Sequence, residues 1–306
     1  MTDNQLIALG SFACAFGALE RKAEDIPGFE RLWREQSSDT EFSAMGSRTF
    51  RGFSGPVEDH VIETVRATLR DGSVRPADVD RIVFATSDAR LASLRPDFAG
   101  EVLAALGLVH CVPVVLSFQQ CCSSLAALGH ARHLLAEEGV RNVVLVSLDF
   151  TPDDADRVRS FALFSDAVAS CLLTRDEGVV RLLSTAVGVD HAGLRGQDSF
   201  VSRQQVAQSS LTTALGGRGL APSEVTKVFP ANLYRPVALF NAAIAGIGQD
   251  QLHFTGPLER YGHCGNSDWM INLADYHDRT GIRPDETYLA VSSAPGFFAC
   301  ALLAGV

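Results

Sequence analysis

Short apolar segments alternate along the chain with stretches whose apolar residues recur at helical spacing. The β-branched runs Arg81–Thr86 and Asn142–Leu148 predict buried strands. Helical spacing over His60–Leu69 and Cys122–Glu138 predicts helices that each bury one face. Asn142–Leu148 is apolar at successive positions, so we expect it at the centre of a sheet that is covered on both faces. Alternating strands and helices of this kind indicate an α/β protein.

Two successive blocks of the chain show this alternation in a similar order, which suggests a duplicated fold. We therefore divide the chain into residues 1–176 and 177–306, joined near Glu177. Asp149–Arg159 is polar, acidic and contains proline, so we expect a surface loop there. The same patterns predict further strands at Gln5–Leu9, Val112–Phe118, Val179–Val189, Thr226–Phe229, Tyr288–Ser293 and Phe297–Leu303, and further helices at Pro96–Leu106, Phe200–Leu215, Pro236–Ala245 and Asp268–Thr280.

Composition and charge restrict the class of protein. Of 306 residues, 46% are hydrophobic and 20% are charged, as in ordinary soluble globular proteins. The formal net charge of −10 argues against a nucleic-acid-binding protein, although a local basic patch can still receive an anionic ligand. No apolar run reaches the roughly 18–20 residues that a membrane helix needs, and Met1–Asn4 lacks the basic start of a signal peptide. We expect a cytoplasmic protein with no membrane partner.

The cysteines and histidines do not form an obvious metal site or disulfide framework. Seven cysteines are scattered without a CxxC pair, which fits reduced thiols in the cytosol. His130 and His133 lie one helical turn apart, but no third ligand is suggested nearby. We therefore expect no metal, and a packed or solvated helix face at these histidines.

The segment Val114–Leu128 carries the strongest candidate chemistry. A predicted strand leads through a short turn into a helix that begins at Cys121 and Cys122. Unpaired N–H groups and the macrodipole at a helix N-terminus stabilise a thiolate, which is the nucleophilic form of cysteine. The same N–H groups can bind the oxyanion that forms when a thioester is attacked. The local pattern alone leaves open that both cysteines are small buried residues at a helix start.

This segment resembles the nucleophile segment of ketoacyl synthase III enzymes in the thiolase superfamily, in which the cysteine stands seven residues before a leucine, as Cys121 stands before Leu128. The resemblance extends over nearly the whole chain through the segments Asp78–Thr86, Arg141–Val146 and Phe164–Ala169. It implies a thiolase-like αβαβα layered sandwich of two similar halves, with the nucleophile Cys121 in residues 1–176 and a general base in residues 177–306. It also implies a homodimer.

The chain departs from the family at two catalytic positions. Condensing enzymes of this family use Cys, His and Asn, but Phe229 stands at the histidine position and His263 at the asparagine position. Phenylalanine neither donates a hydrogen bond nor accepts a proton. The two-donor site for decarboxylation is therefore incomplete, unless Asn232 or Asn266 reaches into it. The resemblance then points to transfer of an acyl group to a heteroatom.

His263 is the candidate general base for Cys121 and for the incoming acceptor. Asp268 is a candidate to orient the histidine ring, as in a catalytic triad, but capping of the helix that starts near Trp269 is the stronger expectation. Asn232 is either a catalytic residue or the N-cap of the helix ahead of it.

Three further residues are candidates for binding substrate. The turn Ser293–Phe297 resembles the family's C-terminal glycine loop, whose backbone N–H completes the oxyanion hole. Gly296 lies one place from the usual spacing and Pro295 has no N–H, so an ordinary turn is equally compatible. Phe229 and Phe297 are candidates to line an acyl pocket, with core packing as the alternative for each.

The sequence thus predicts an acyltransferase that moves an acyl group through a Cys121 thioester to an oxygen, nitrogen or sulfur of a small-molecule acceptor in specialised biosynthesis. The donor is a thioester of coenzyme A or of the phosphopantetheine arm of an acyl carrier protein, and no other cofactor is expected. Two alternatives stay open. One is a decarboxylating carbon–carbon condensation of the ketoacyl synthase III type, and the other is a non-catalytic partner subunit of a thiolase-fold enzyme.

Overall fold

The structure is a computed structural model that describes residues 7–37, 41–88, 91, 95–175, 177–197 and 199–306. Its strands are β1 (Ile7–Phe16), β2 (Leu19–Lys22), β3 (Thr49–Gly52), β4 (Arg81–Ala85), β5 (Val112–Leu116), β6 (Asn142–Asp149), β7 (Ala167–Thr174), β8 (Val180–Val189), β9 (Lys227–Phe229), β10 (Thr287–Ala294) and β11 (Phe297–Gly305). Its helices are α1 (Phe29–Gln36), α2 (Val57–Asp71), α3 (Phe98–Leu106), α4 (Ser123–Ala136), α5 (Phe200–Gly216), α6 (Arg235–Ile244), α7 (Thr255–Tyr261) and α8 (Asp268–Thr280).

Most predicted elements occur with boundaries close to those expected. The exception at the start of the chain is β1, which runs on to Phe16 instead of ending at Leu9. Gln5 and Leu6 lie outside the described residues, as does the N-terminal segment Met1–Asn4.

Nine of these strands form one mixed sheet in the order β5-β4-β6-β7-β1-β8-β11-β10-β9. In the first part, β4 is parallel to β5 and β6, while β7 is antiparallel to β6 and β1. In the second part, β9 is parallel to β10, while β11 is antiparallel to β10 and β8. The parallel bridge between Val228 and Leu252 takes the place that β5 has beside β4. The two parts thus repeat one arrangement about the antiparallel pair of β1 and β8.

Successive side chains of each strand point to opposite faces of the sheet, and helices pack on both faces. Three layers of helices result. Val83 and Ala85 pack into one large core with α4, α8 and the inner strand faces of both halves. Ile82 and Phe84 point the other way, against α2 and α3. Residues of α5 and α6 cover the outer face of the second half. The two parts of the sheet thus enclose one layer of helices and carry further helices on their outer faces, and this order of helix, sheet, helix, sheet, helix confirms the predicted αβαβα sandwich.

The segment Asp149–Arg159 is at the surface in its middle, where most side chains are exposed as its polarity predicted, but charged side chains near both ends are buried. Asp149 ends β6 and is only 5% exposed, and Arg157 is 4% exposed. The guanidinium of Arg157 donates to both carboxylate oxygens of Asp166, at 2.8 and 3.0 Å. The prediction missed these buried charges because composition does not distinguish solvated charges from charges that are buried and paired.

None of the helices within the described ranges is both long enough and apolar enough to cross a membrane.

The shared core around α4 predicts a large loss of stability when one of its side chains is shortened. Leu128 is fully buried in this core, so Leu128→Ala should lower the free energy of unfolding by about 2–5 kcal/mol. Leu19 is 53% exposed, and Leu19→Ala should change the free energy of unfolding by less than about 0.5 kcal/mol. Urea unfolding of both variants checks the prediction, and equal effects would contradict the placement of α4 in the core.

Candidate active site

A strained turn presents Cys121 at the start of α4. Between β5 and α4, Phe118 has a φ of 67° and Gln120 a φ of 52°, both in the left-handed region. For residues other than glycine this conformation costs about 1–2 kcal/mol each. Cys121 follows in a short 3₁₀ turn and stays partly exposed, whereas the Cys122 thiol is buried and contacts the carbonyl of Ser292. Burial raises the pKa of Cys122, so Cys121 is the cysteine that can react.

Backbone contacts fix the position of His263. Its N–H donates to the carbonyl of Leu163 at 2.9 Å, and its own carbonyl accepts from the N–H of Ser165 at 2.8 Å. Gly262, the preceding residue, has φ 70° and ψ −153°, a conformation essentially reserved for glycine. A Cβ at Gly262 would also lie 2.9 Å from the Leu163 carbonyl oxygen. Glycine at position 262 is therefore required for this close approach of the two segments.

Cys121, His263 and Asp268 form a chain of side-chain contacts. The Cys121 sulfur lies 3.6 Å from His263 Nε2, and His263 Nδ1 donates to Asp268 Oδ2 at 2.5 Å. Asp268 Oδ2 also accepts from the backbone N–H of Asn232, and Oδ1 accepts from that of Cys264. Nε2 faces the Cys121 sulfur. Because Asp268 keeps a proton on Nδ1, Nε2 can accept the proton of the Cys121 thiol.

The buried imidazole holds its proton strongly. Its complete burial works to lower the pKa of His263, but the Asp268 carboxylate and the Cys121 sulfur outweigh it and raise the pKa to about 10. A charged imidazole thus lies 3.6 Å from the Cys121 sulfur, an arrangement that suits a cysteine nucleophile.

Asp268 and Asn232 do not cap the helices as expected. α8 begins at Asp268 itself, its N-cap position is Ser267, and the Asp268 carboxylate turns back to His263. The N-cap of α6 is Tyr234. Asn232 is fully buried, its side-chain oxygen accepts from Asn272, and it does not line the cavity beside Cys121.

Cys121 and His263 open into one cavity of about 480 Å³. Its wall is mostly apolar, with polar groups beside the sulfur and farther along. Gly296, with a φ of 77°, and Phe297 both line it. The other lining residues are Ser87, Gln120, Phe161, Phe164, Asp190, Arg203, Val206, Ala207, Leu233, Val237, Asn241, Ile244, Ser293, Ala294, Pro295 and Phe298.

Phe229 and Asn266 lie outside this cavity. Phe229 is fully buried in the central core, where its ring packs on Tyr288 and Tyr276 with centroid distances of 5.9 and 5.7 Å. It is therefore a core residue and does not contact a ligand in the cavity, because the end of β9 turns its side chain toward α8. Asn266 uses its side chain within the protein, donating to Asp149 and accepting from the N–H of Ser124.

Sequence reasoning missed most of the cavity wall, since it comes from segments far apart in the chain. It also missed Asp149, which lies behind the site and accepts hydrogen bonds from Ser87 and Asn266. A signal for Asp149 existed. Polar residues at the carboxyl ends of parallel strands commonly face the site of an α/β protein, and Asp149 ends the central strand β6.

Across the described ranges, no three side chains of His, Cys, Asp or Glu are grouped in a way that could hold a metal ion.

The protonated His263 predicts a pH-dependent stability. Its pKa of about 10 in the folded protein lies above the ordinary 6.5, so its contribution is full below about pH 6.5 and is lost as the pH rises through about 10. Asp268→Asn removes the carboxylate that holds the imidazolium. This variant should be less stable at about pH 6, and its free energy of unfolding should fall much less between about pH 6.5 and 10.

Urea unfolding over that pH range measures the effect. His133→Ala on the exposed side of α4 is the control and should follow the wild type. An unchanged decline in Asp268→Asn would mean that this carboxylate does not hold the charge of His263.

Comparison with known proteins finds likeness only among solved structures: no family model and no curated protein matches the chain. ChlB3, described as an acyltransferase, superposes with a TM-score of 0.82 at 16% identity, over 98% of each chain. An OleA variant from Xanthomonas campestris with bound lauric acid and lauroyl-CoA gives 0.79 at 14% identity, over 99% of this chain and 100% of that one. The 3-oxoacyl-(acyl carrier protein) synthase III FabH from Xanthomonas oryzae pv. oryzae gives 0.81 at 14% identity, over 98% of each chain. The chain therefore has the fold of the thiolase superfamily, in the form shared by ketoacyl synthase III-like structures.

Proposed function

We propose that the protein is an acyltransferase that carries an acyl group as a thioester on Cys121 and passes it to an oxygen, nitrogen or sulfur nucleophile of a small molecule. The observation that carries the proposal is the chain from Cys121 through His263 to Asp268, which opens into an apolar cavity. The names of similar structures agree with acyl-group chemistry in general: one is described as an acyltransferase, one has lauroyl-CoA bound and one is named a 3-oxoacyl-(acyl carrier protein) synthase III.

In the first step the Cys121 thiolate attacks the thioester carbonyl of the donor. The C–S bond of the donor then breaks, and the departing thiolate takes the proton from His263 Nε2. The proton that His263 gives away is the one it held from Cys121, so the step is balanced. The backbone N–H of Cys121 is the proposed donor to the oxyanion.

In the second step the acceptor enters the same cavity and attacks the acyl-enzyme. His263 Nε2 removes the proton of the attacking O–H, N–H or S–H group, and the Cys121 sulfur leaves as the thiolate. Asp268 keeps the proton on Nδ1 throughout and stabilises the imidazolium. The enzyme returns to the ion pair from which it started.

The positions of the other candidate residues favour transfer over decarboxylating condensation. Condensation needs two groups that donate to the developing enolate, and the chain has Phe229 where the family has histidine. Phe229 packs in the core, Asn232 contacts Asn272, and the Asn266 side chain is bound to Asp149 and Ser124. None of these three lines the cavity. His263 is thus left as the histidine beside the sulfur, which suffices for transfer.

The donor is proposed to be a thioester of coenzyme A or of a carrier protein, and the reaction needs no further cofactor because the thioester supplies the driving force. The cavity wall includes Asn241 and Ser293, whose side chains lie 3.4 Å apart. Such polar groups suit the amides of a pantetheine arm. Arg203 on α5 also lines the cavity and suits a phosphate.

Formation of the acyl-enzyme is the direct test. Wild-type protein incubated with a panel of acyl-coenzyme A and acyl carrier protein thioesters should gain the mass of one acyl group, and Cys121→Ala should gain none. Cys14→Ala, which removes another partly buried free thiol, should behave as wild type. His263→Ala should slow acylation by about 10²–10⁴-fold, because it removes the general base.

Intact-protein mass spectrometry measures these adducts, and the added acceptor should discharge them as an ester, amide or thioester. Release of carbon dioxide from a malonyl donor with a carbon–carbon product would establish condensation instead. Absence of any adduct from folded wild-type protein would overturn the proposal and favour a non-catalytic partner subunit.

We also propose that the protein is a homodimer whose subunits meet along β5. Within the described ranges β5 pairs only with β4 and forms one edge of the large sheet. Val112 and Val115 on this strand are 52% and 47% exposed, and Phe118 just beyond it is 79% exposed. An exposed apolar edge strand favours pairing with a second chain.

Val115→Lys should shift the protein toward monomer, because a charge on an edge strand opposes pairing. Light scattering coupled to size-exclusion chromatography measures the mass. Val187→Lys on the internal strand β8, where the valine is 44% exposed, is the matched control and should remain dimeric. A monomeric wild type, or equal dissociation of both variants, would contradict the proposed interface.

A further inference from the structure

Behind the catalytic chain lies a second set of buried polar side chains that the proposed reaction does not use. Asp149 at the end of β6 is 5% exposed, and Asn266 in the turn before α8 is fully buried. Neither residue lines the cavity. A buried carboxylate and amide are costly unless each polar atom has a partner, so their contacts reveal what they hold together.

Asp149 joins two segments that border the site. Its Oδ1 accepts from the N–H of Ser87 at 2.7 Å and from the Ser87 hydroxyl at 2.6 Å. Its Oδ2 accepts from the backbone N–H of Asn266 at 2.5 Å and from the Asn266 amide at 3.0 Å. Ser87 itself lines the cavity. The carboxylate thus fixes one wall of the cavity and the turn before α8 in a single arrangement.

Asn266 continues the link to the helix of the nucleophile. Its side-chain oxygen accepts from the backbone N–H of Ser124 at 2.9 Å, and its carbonyl accepts from the Ser124 hydroxyl at 2.7 Å. The same hydroxyl accepts from the indole N–H of Trp269 at 2.8 Å. Ser124 lies in the first turn of α4, just after Cys121, and Trp269 directly follows Asp268.

The turn lies too close to Asp149 for any other residue at its first position. Gly265 has a φ of 58°, and a Cβ there would lie 2.1 Å from Asp149 Oδ2. Glycine therefore lets the backbone approach the carboxylate closely enough for both hydrogen bonds of Asn266.

From these contacts we propose that Asp149 and Asn266 are positioning residues that set the distance between the Cys121 sulfur and the His263 imidazole. Cys121 and His263 belong to different halves of the fold and are 142 residues apart in the chain, yet their atoms must meet at 3.6 Å. The bridge from Asp149 through Asn266 to Ser124 ties together the two segments that carry them. A displacement of about 1 Å in such a pair can cost about 10²-fold in rate.

The test uses the reactivity of Cys121 toward iodoacetamide as a function of pH, because this readout needs no substrate. His263→Ala should be alkylated much more slowly near neutral pH than the wild type, since the thiolate loses its imidazolium partner. Asn266→Ala should shift the pH profile toward that of His263→Ala, with alkylation near neutral pH at least about tenfold slower than in the wild type. Cys121→Ala gives the background from the other thiols.

Thr68→Val is the matched control for lost stability. The Thr68 hydroxyl lies 2.6 Å from that of Ser170, both are fully buried, and they lie between α2 and β7 away from the cavity. This variant should lower the melting temperature while keeping the wild-type pH profile. If Asn266→Ala also keeps that profile and only melts earlier, its role is merely structural and the proposal is overturned.

Two further variants keep the test decisive if Asn266→Ala does not fold. Asp149→Asn preserves volume but replaces an acceptor by a donor, and Ser124→Ala removes only the hydroxyl contacts. Both should shift the alkylation profile in the same direction, Ser124→Ala by less. Wild-type profiles in both folded variants would overturn the proposal.

The kinetic part of the inference rests on the proposed acyl transfer. With a donor that acylates the wild type, Asn266→Ala should lower kcat by about 10²-fold and leave KM within about twofold, because Ser87 and the cavity wall stay in place. Failure of the wild type to form an acyl-enzyme would refute the proposed function, while the alkylation profiles would still decide the positioning role.

Discussion

The contact between the Cys121 sulfur and the His263 imidazole requires two halves of the fold to meet within hydrogen-bonding distance, 3.6 Å. A buried imidazolium is stable only beside a compensating charge, and Asp268 supplies it at 2.5 Å on the other ring nitrogen. Asp268 in turn accepts from two backbone N–H groups. Each group in this chain is thereby paired, and such pairing is what stabilises charged side chains that are buried.

Unusual backbone conformations lie directly beside this contact. Gln120 adopts a left-handed conformation just before the nucleophile, and Gly262 a conformation essentially restricted to glycine just before the histidine. Gly265 lets the next turn pack against Asp149. Strain and close approach of this kind persist only where the rest of the fold enforces them, and both segments that carry Cys121 and His263 show them.

The repeated architecture explains why the groups come from both halves. Helices α4 and α8 share the central core and occupy equivalent places in the two halves. Cys121 precedes α4, and Asp268 is the first residue of α8. The central layer of the sandwich therefore brings the start of one helix near the start of the other. The buried pair of Asp149 and Asn266 lies across the same junction.

The sequence by itself determined most strands and helices and indicated Cys121 as the candidate nucleophile, because periodicity and a cysteine at a helix start are local properties. It also indicated His263 and Asp268 as candidate site residues. For Asp268 it favoured helix capping, since a short-range pattern cannot show which partner a carboxylate binds. The tertiary structure decided that Asp268 binds His263, that Phe229 belongs to the core and that Asp149 is buried. It also decided the cavity wall, because these outcomes depend on contacts between segments far apart in the chain, which no local pattern encodes.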